Sequence, residues 1–262
     1  MPRALVSLGG NEGHVRATFR AAMESLRRHP QIDSVRASRI YSTPPVGDEA
    51  GGSFLNAVAE LTTSLDPLLL LDLLQATEHQ LGRVRTLHWG PRTLDLDLLA
   101  FDDRIIDHPR LTLPHPGCWY RRFVLDPLAE IAGDFVHPEK ETTFRCLRER
   151  LLVRPLCVRV AGGDDATRSR LVADLVIPFD TIECGPWESV KDSERADGEK
   201  RGGSPGLLLW LGPGAGRSEF SELPIVPRVD LTAFPESLDV AARYVLEAAL
   251  GEPRVESSFD PG

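Results

Sequence analysis

The feature that most constrains this chain is the order in which its hydrophobic period changes over the first hundred residues. Ala4–Leu8 is an apolar strand candidate closed by the turn cluster Gly9-Gly10-Asn11. Val15, Phe19, Ala22, Met23 and Leu26 then recur at helical spacing until Pro30 stops them. Ile32–Tyr41 reads as a strand ended by Thr43-Pro44-Pro45, and Phe54–Leu61 reads as another. Asp66-Pro67 is a helix N-cap followed by proline at the first helical position, opening a helix to about Leu81. Thr93–Phe101 alternates cleanly as a strand. The order β-α-β-β-α-β predicts an α+β sandwich of the ferredoxin-like kind, with a mainly antiparallel sheet, and not a doubly wound one.

The character of the chain changes after Arg154-Pro155, so two domains are expected, 1–155 and 156–262. The second reads as a small α/β domain. Leu156–Ala161 is a strand, a helix follows Gly162-Gly163 to about Val176, and Gly206–Leu211 and Ile225–Leu231 are further strands. Glu236–Leu250 closes it as a helix. Residues 187–206 are charged and Gly-rich, which predicts a flexible excursion, and a polar tail is expected from about 252.

Charge sharpens this division. Residues 1–155 carry 19 basic and 20 acidic side chains, net −1, whereas 156–262 carry 11 and 19, net −8. A chain of net charge −9 is not built for general nucleic-acid binding, and its acidic half suits contact with a protein partner. Its 42% hydrophobic content suffices for a core, yet no apolar run approaches the roughly 18 residues that span a bilayer. Met1-Pro2-Arg3 opens no signal peptide. Cys118, Cys146, Cys157 and Cys184 form no C-x-x-C pair, so reduced thiols in the cytoplasm are expected. Of the 30 basic residues only Lys140, Lys191 and Lys200 are lysines. Arginine, with its planar fork suited to phosphate, therefore supplies nearly all the cationic chemistry.

The stretch richest in chemistry is Gly82-Arg83-Val84-Arg85 … Trp89-Gly90-Pro91-Arg92-Thr93-Leu94-Asp95-Leu96-Asp97-Leu98. Residues two apart in a strand share a face, so Asp95 and Asp97 project together while Leu94, Leu96 and Leu98 pack behind them. Two neighbouring carboxylates repel unless a cation lies between them, and hard oxygen ligands of this kind suit Mg²⁺. On its own, Asp-x-Asp on an amphipathic strand is commonly just a solvated face. The adjacent arginines and the Trp-Gly-Pro-Arg turn favour the alternative: carboxylates, metal and arginines are what phosphoryl transfer requires.

The string Arg83-x-Arg85-x₃-Trp89-Gly90-Pro91-Arg92-Thr93-x-Asp95-x-Asp97 resembles the signature of the hydroxymethyl-dihydropterin pyrophosphokinases of folate synthesis. The resemblance extends over about residues 4–153, through Ser7-Leu8-Gly9-Gly10-Asn11, Tyr41-Ser42-Thr43-Pro44-Pro45, Phe54-Leu55-Asn56-Ala57, Leu113-Pro114-His115-Pro116 and Arg121-x-Phe123-Val124-Leu125. It implies transfer of pyrophosphate from ATP to the pterin hydroxymethyl group, with release of AMP. Asp95 and Asp97 then hold two Mg²⁺ ions, and Arg83 and Arg92 clamp the transferring group. Thr43, Pro44, Val46, Phe54, Asn56 and Phe123 make the pterin pocket. Arg85, Trp89, Arg110, Thr112, His115 and Arg121 fall on the ATP side, and loops 43–53 and 82–92 are expected to close over the substrates. At 117–120 the chain has Gly117-Cys118-Trp119-Tyr120 where many relatives are basic, which bears on how the ATP phosphates are held. The competing reading is an inactive nucleotide- or pterin-binding scaffold that works through its acidic second half. In that half, Gly162-x₄-Thr167-Arg168-Ser169 is similar to a degenerate P-loop of the deoxynucleoside kinases, with Thr167 in place of the second glycine and Arg168 in place of the lysine.

Overall fold

The computed structural model describes residues 1–45, 52–82, 92–176, 178–187, 205–213, 220 and 226–259. They divide into two compact units, Met1–Arg148 with Gly251–Gly262, and Glu149–Leu250.

The first unit has the order β-α-β-β-β-α-β, one strand more than the β-α-β-β-α-β read from the sequence. Its elements are β1 (Arg3–Gly10), α1 (Val15–Arg28), β2 (Ile32–Ala37), β3 (Ile40–Thr43), β4 (Phe54–Thr63), α2 (Pro67–Gln80) and β5 (Asp95–Phe101). The run expected as one strand from Ile32 to Tyr41 is broken at Ser38-Arg39. The Ser38 side chain turns inward there, its hydroxyl accepting from the Val58 N–H and donating to the Arg39 carbonyl. The sheet runs β3-β4-β1-β5, with β2 also on β4, and every pairing of β1 and β4 is antiparallel. Asp66 caps α2 as its sequence indicated, accepting from the Leu68 N–H at 3.2 Å. The apolar stripe of α1, Val15, Phe19, Ala22, Met23 and Leu26, is buried in one cluster with Val6, Leu8, Ala57, Leu96 and Leu98 of the sheet's centre, together with Leu70 and Leu74 of α2. The opposite face is partly covered by α3 (Arg122–Ala132), which packs on β3 and β4. A buried carboxylate, Asp126, pairs with Arg122 and Arg148 and so satisfies the polar groups that α3 carries into the interior. Two small hairpins, β6 (Ile106–His108) with β7 (Leu111–Leu113) and β8 (Val136–His137) with β9 (Thr142–Thr143), and helix α4 (Phe144–Leu152) complete the linear part of this region.

The polar tail expected from about 252 is corrected by the structure. Arg254–Ser257 pairs with β3 as an additional antiparallel strand of the first unit, and Phe259 joins its core.

The second unit is a parallel sheet. It comprises β10 (Leu156–Ala161), α5 (Asp165–Val176), β11 (Ile182–Pro186), β12 (Leu207–Trp210), β13 (Arg228–Asp230), a single 3₁₀ turn at Leu231–Ala233 and α6 (Leu238–Leu250), in sheet order β11-β10-β12-β13. The strand Arg254–Ser257 is β14. Most of the excursion assigned to 187–206 lies outside the described residues. The segment 162–169, which resembles a degenerate phosphate loop, joins β10 to α5. The connection from β10 to α5 is only Gly162–Asp164, and positions 167–169 are already helix. Asp164 accepts from the Thr167 N–H at 2.7 Å, and buried Arg168 donates to the Gly162 and Gly163 carbonyls at 2.7 and 2.8 Å. The guanidinium thus fills the loop from inside, and the Gly163 N–H donates to the Gly212 carbonyl at 2.9 Å.

Candidate active site

Cross-strand register assembles the site. In antiparallel strands directly opposed residues project from the same face. Gly9 opposes Asn56 on β4 and Asp95 on β5, Ser7 opposes Val58 and Asp97, and Tyr41 on β3 opposes Asn56. One face of four adjacent strands therefore carries Tyr41 and Thr43, Phe54 and Asn56, Ser7 and Gly9, and Asp95 and Asp97. The alternate residues of β1, β4 and β5 are the apolar ones committed to α1 and α2, so the same period-two pattern that makes the core delivers the carboxylates to the other side.

Gly9 leaves the centre of this face open. A Cβ there would stand 3.7 Å from Asn56 Oδ1 and 3.9 Å from Asp95 Cβ, so any longer side chain would grow between the amide and the carboxylate. Gly10 answers a tighter constraint: a Cβ would meet the Thr93 carbonyl at 2.9 Å. That close approach lets Asn11 clasp Arg92, its N–H donating to the Arg92 carbonyl at 2.9 Å and its Oδ1 accepting from the Arg92 N–H at 2.9 Å. Arg92 in turn forms an ion pair with Asp95.

Two clefts open beside the carboxylates. The first is lined by Thr43, Pro44, Phe54, Asn56, Arg92, Arg121 and Phe123 over a floor of Ser7 and Gly9. The second is lined by Gln75, Glu78, Arg110 and Thr112 with the apolar Leu71 and Leu98. Asp95, Asp97 and His115 belong to both. This shared border is where a group passing from one bound molecule to another must lie. Among the described residues no group of three or more His, Cys, Asp and Glu side chains is placed to hold a metal. The pair of half-buried carboxylates nonetheless fits Mg²⁺, which takes one or two carboxylates and fills its shell with water and phosphate oxygens.

Burial, reinforced by the positive charge of Arg121, pushes the His115 imidazole down to about 4, so it is neutral at pH 7. Its Nδ1 accepts from the Gly117 N–H at 3.0 Å, which puts the remaining proton on Nε2 as a donor. Arg121 lies 5.9 Å from the centroid of the Phe123 ring and 5.5 Å from that of Tyr120, whose hydroxyl accepts from its Nε at 3.3 Å. The unusual segment 117–120 is buried and faces the protein: Trp119 packs on His137 and beneath Lys140.

Of the residues singled out from the sequence, Thr43, Pro44, Phe54, Asn56, Arg92, Asp95, Asp97, Arg110, Thr112, His115, Arg121 and Phe123 line the two clefts. Arg121, assigned to the ATP side, stands in the cleft of Asn56 and Phe123. Arg110 is paired with Asp72. Val46, Arg83, Arg85 and Trp89 lie outside the described residues, as do most of the two loops expected to close. Sequence reasoning passed over Glu78, which is buried and accepts from the Leu96 N–H at 2.6 Å, pinning β5 between its two carboxylates. The signal was present, because Glu78 continues the buried spacing of Leu70, Leu71 and Leu74 on α2.

The comparisons with known proteins agree with this geometry. Residues 5–133 match the family model of 7,8-dihydro-6-hydroxymethylpterin-pyrophosphokinase. A 2-amino-4-hydroxy-6-hydroxymethyldihydropteridine pyrophosphokinase of Pseudomonas aeruginosa is 46% identical over 137 residues, covering 52% of this chain and 85% of its own length. The chain belongs to this family. The enzyme of the same name from Bacillus subtilis is 44% identical over 140 residues, 53% of this chain and 82% of its own length. The bifunctional protein FolKE of Lactococcus lactis is 35% identical, over 53% of this chain and 40% of its own length. All three alignments fall short of the full chain by nearly half, so the family accounts for the first unit and its clefts.

Proposed function

We propose that the chain transfers pyrophosphate from ATP to the hydroxymethyl group of 6-hydroxymethyl-7,8-dihydropterin, releasing AMP, as a soluble enzyme of the cytoplasm. The observation that carries this reading is the carboxylate pair on the border of two clefts, one aromatic and amide-lined, the other largely polar with Arg110 and Thr112 in its wall. We read the pterin into the first: the buried Asn56 amide meets the edge of the ring and the half-exposed Phe123 ring offers a stacking face. ATP enters the second, its base towards Leu71 and Leu98 and its phosphates towards Asp95, Asp97 and His115. The hydroxymethyl oxygen forms a bond to the β-phosphorus as the β-phosphorus bond to the α-phosphate oxygen breaks; the hydroxyl proton passes to solvent, and AMP departs. Two Mg²⁺ ions held by Asp95 and Asp97 would neutralise the triphosphate. Arg92 is fixed by Asn11 and Asp95 beside the transferring group, with Arg83 assigned the same task. Neutral His115 donates from Nε2 to a phosphate oxygen. Its lack of charge spares the site a desolvation cost, while the arginines supply the countercharge. Val46 is assigned to the pterin pocket and Arg85, Trp89, Arg110 and Thr112 to ATP. The antiparallel sheet order β3-β4-β1-β5, with α1 and α2 on one face, supports the ferredoxin-like description of this unit. The acidic second unit is read as an accessory that meets a protein partner, supported by its charge and by the self-filled loop at Arg168. The testing experiment is AMP release with hydroxymethyl-dihydropterin, ATP and Mg²⁺. Omitting either the pterin or Mg²⁺ must abolish it, and AMP formation indifferent to the pterin would overturn the assignment.

A further inference from the structure

The C-terminal segment that leaves α6 returns to the first unit and seats itself on the outer edge of β3. Arg254 pairs with Ser42, Val255 with Tyr41, and Ser257 with Ile40 across an irregularity. Its end is anchored on α1. The Phe259 ring stacks on Phe19, centroids 6.2 Å apart and planes 20° from parallel, and Arg20 donates from Nε to the Phe259 carbonyl at 3.2 Å. Arg16 donates to Ser257 Oγ at 3.0 Å and to Glu256 at 2.9 Å. Without this segment β3 would be a four-residue edge strand, with one side on β4 and a row of unpaired backbone groups on the other. Short edge strands open first in native fluctuations. Yet β3 ends at Thr43, whose hydroxyl accepts from the buried Asn56 amide at 2.9 Å, so any looseness in β3 is passed straight to the amide.

We propose that Arg254–Phe259 is a positioning segment of the pterin cleft: by completing the ladder of β3 it holds the Thr43–Asn56 pair in its binding geometry without touching substrate. This rests on the pterin reading of that cleft. The extension therefore contributes to the site through its last residues, whatever its globular part does.

The test uses the full chain carrying Phe259→Ala, Phe259→Leu or Arg16→Ala, the last an exposed residue whose loss leaves the core intact. Two quantities are measured: amide exchange of the peptide covering Ile40–Thr43, and the Michaelis constants for pterin and ATP. Phe259→Ala should speed exchange in β3 and raise the pterin KM roughly three- to tenfold, with kcat and the ATP KM within about twofold. Arg16→Ala should do the same more weakly, and Phe259→Leu should restore most of the loss. Faster exchange with an unchanged pterin KM would reduce the segment to a purely structural brace and overturn the proposal. Parallel loss in both KM values and kcat would overturn it too, as would unaltered exchange. Absence of pterin-dependent turnover in the unsubstituted chain would instead strike the functional reading itself, leaving the exchange arm to decide whether the segment governs β3.

Discussion

Asn56 donates through Nδ2 to Thr43 Oγ1 at 2.9 Å, and both side chains are buried at the floor of the first cleft. One half of the amide is thereby satisfied by the protein, and its orientation leaves Oδ1 on the side of Gly9, where no side chain intervenes. Asn56→Ala should weaken pterin binding by on the order of 1–3 kcal/mol, the cost of a lost buried partner, and leave ATP binding nearly unchanged. Calorimetry with each substrate separately checks this. An equal fall in ATP affinity would mean that Asn56 supports the sheet and does not read the ligand.

The carboxylates make a second, sharper expectation. Asp97 faces the same way as Asp95 but lies opposite Ser7 in the register, one residue pair further from Asn56. Asp97→Asn preserves the shape and removes the charge. Turnover should fall at least about a hundredfold, since one lost electrostatic stabiliser in a catalytic site costs about that much, while thermal unfolding stays near that of the parent chain. Near-normal turnover at saturating Mg²⁺ would remove Asp97 from the chemistry.

How much of this was readable beforehand depends on the range over which each feature is determined. The cap at Asp66-Pro67 and the stripe of α1 are local patterns, and the structure keeps them; the strand read over Thr93–Phe101 starts at Asp95 and alternates in burial only to Leu98. The pairing of Asp95 and Asp97 needs only the period of a strand. Gly9 stood in a stretch marked for its resemblance, but its reason, the gap between Asn56 and Asp95, exists only once three strands are in register. Glu78 was hidden because a carboxylate on a buried face reads as an error of period until its partner, the Leu96 N–H, is known. The strand Arg254–Ser257 was missed for the strongest reason: three of its four residues are polar, and its partner lies more than two hundred positions earlier. Non-local pairing of an exposed strand leaves almost no periodic trace.

Gly9 itself can be tested. Gly9→Val keeps a residue well suited to a strand, so the sheet should form. Its methyls would nevertheless enter the space between Asn56 Oδ1 and Asp95, where a Cβ alone is already in van der Waals contact. Pterin affinity should fall by about tenfold or more, the scale of 1.4 kcal/mol, with urea unfolding little altered. Retention of full pterin affinity would show that the ring does not lie over β1.

Acid stability follows from two histidines. Burial holds both His115 and His137 at about 4, with Arg121 adding to the effect at the first and Lys140 at the second. An unfolded histidine takes up its proton near 6.5, so between about 6.5 and about 4 the unfolded chain binds more protons than the folded one. Stability is then complete above about 6.5 and is lost as the pH falls towards 4. His137 lies among Trp119 and Phe144, and its Nδ1 has no hydrogen-bond partner, so phenylalanine can take its place. The urea midpoint of the parent should drop between pH 7 and pH 4.5, and that of His137→Phe should drop less. Identical slopes in the two proteins would show that His137 does not drive the acid limb.

The last expectation concerns where the catalytic unit ends. A chain stopped at residue 155 retains every cleft residue named above, yet it lacks β14 and Phe259. Phe19 loses the ring that covers it, and Arg16 and Arg20 lose the groups they bond at 256–259. A chain in which 149–250 is replaced by a flexible Gly-Ser linker keeps both pieces of the first unit. Burying one phenylalanine side chain is worth roughly 1.5–3 kcal/mol, so the linked form should be more stable than the stopped form by about that amount. Both should release AMP once folding is verified by circular dichroism, and the linked form should bind pterin more tightly. Equal stability and equal pterin affinity would show that residues 251–262 contribute nothing to the unit. A folded linked form without activity would show that residues 149–250 complete the active site, and the assignment of all the chemistry to the first unit would fall.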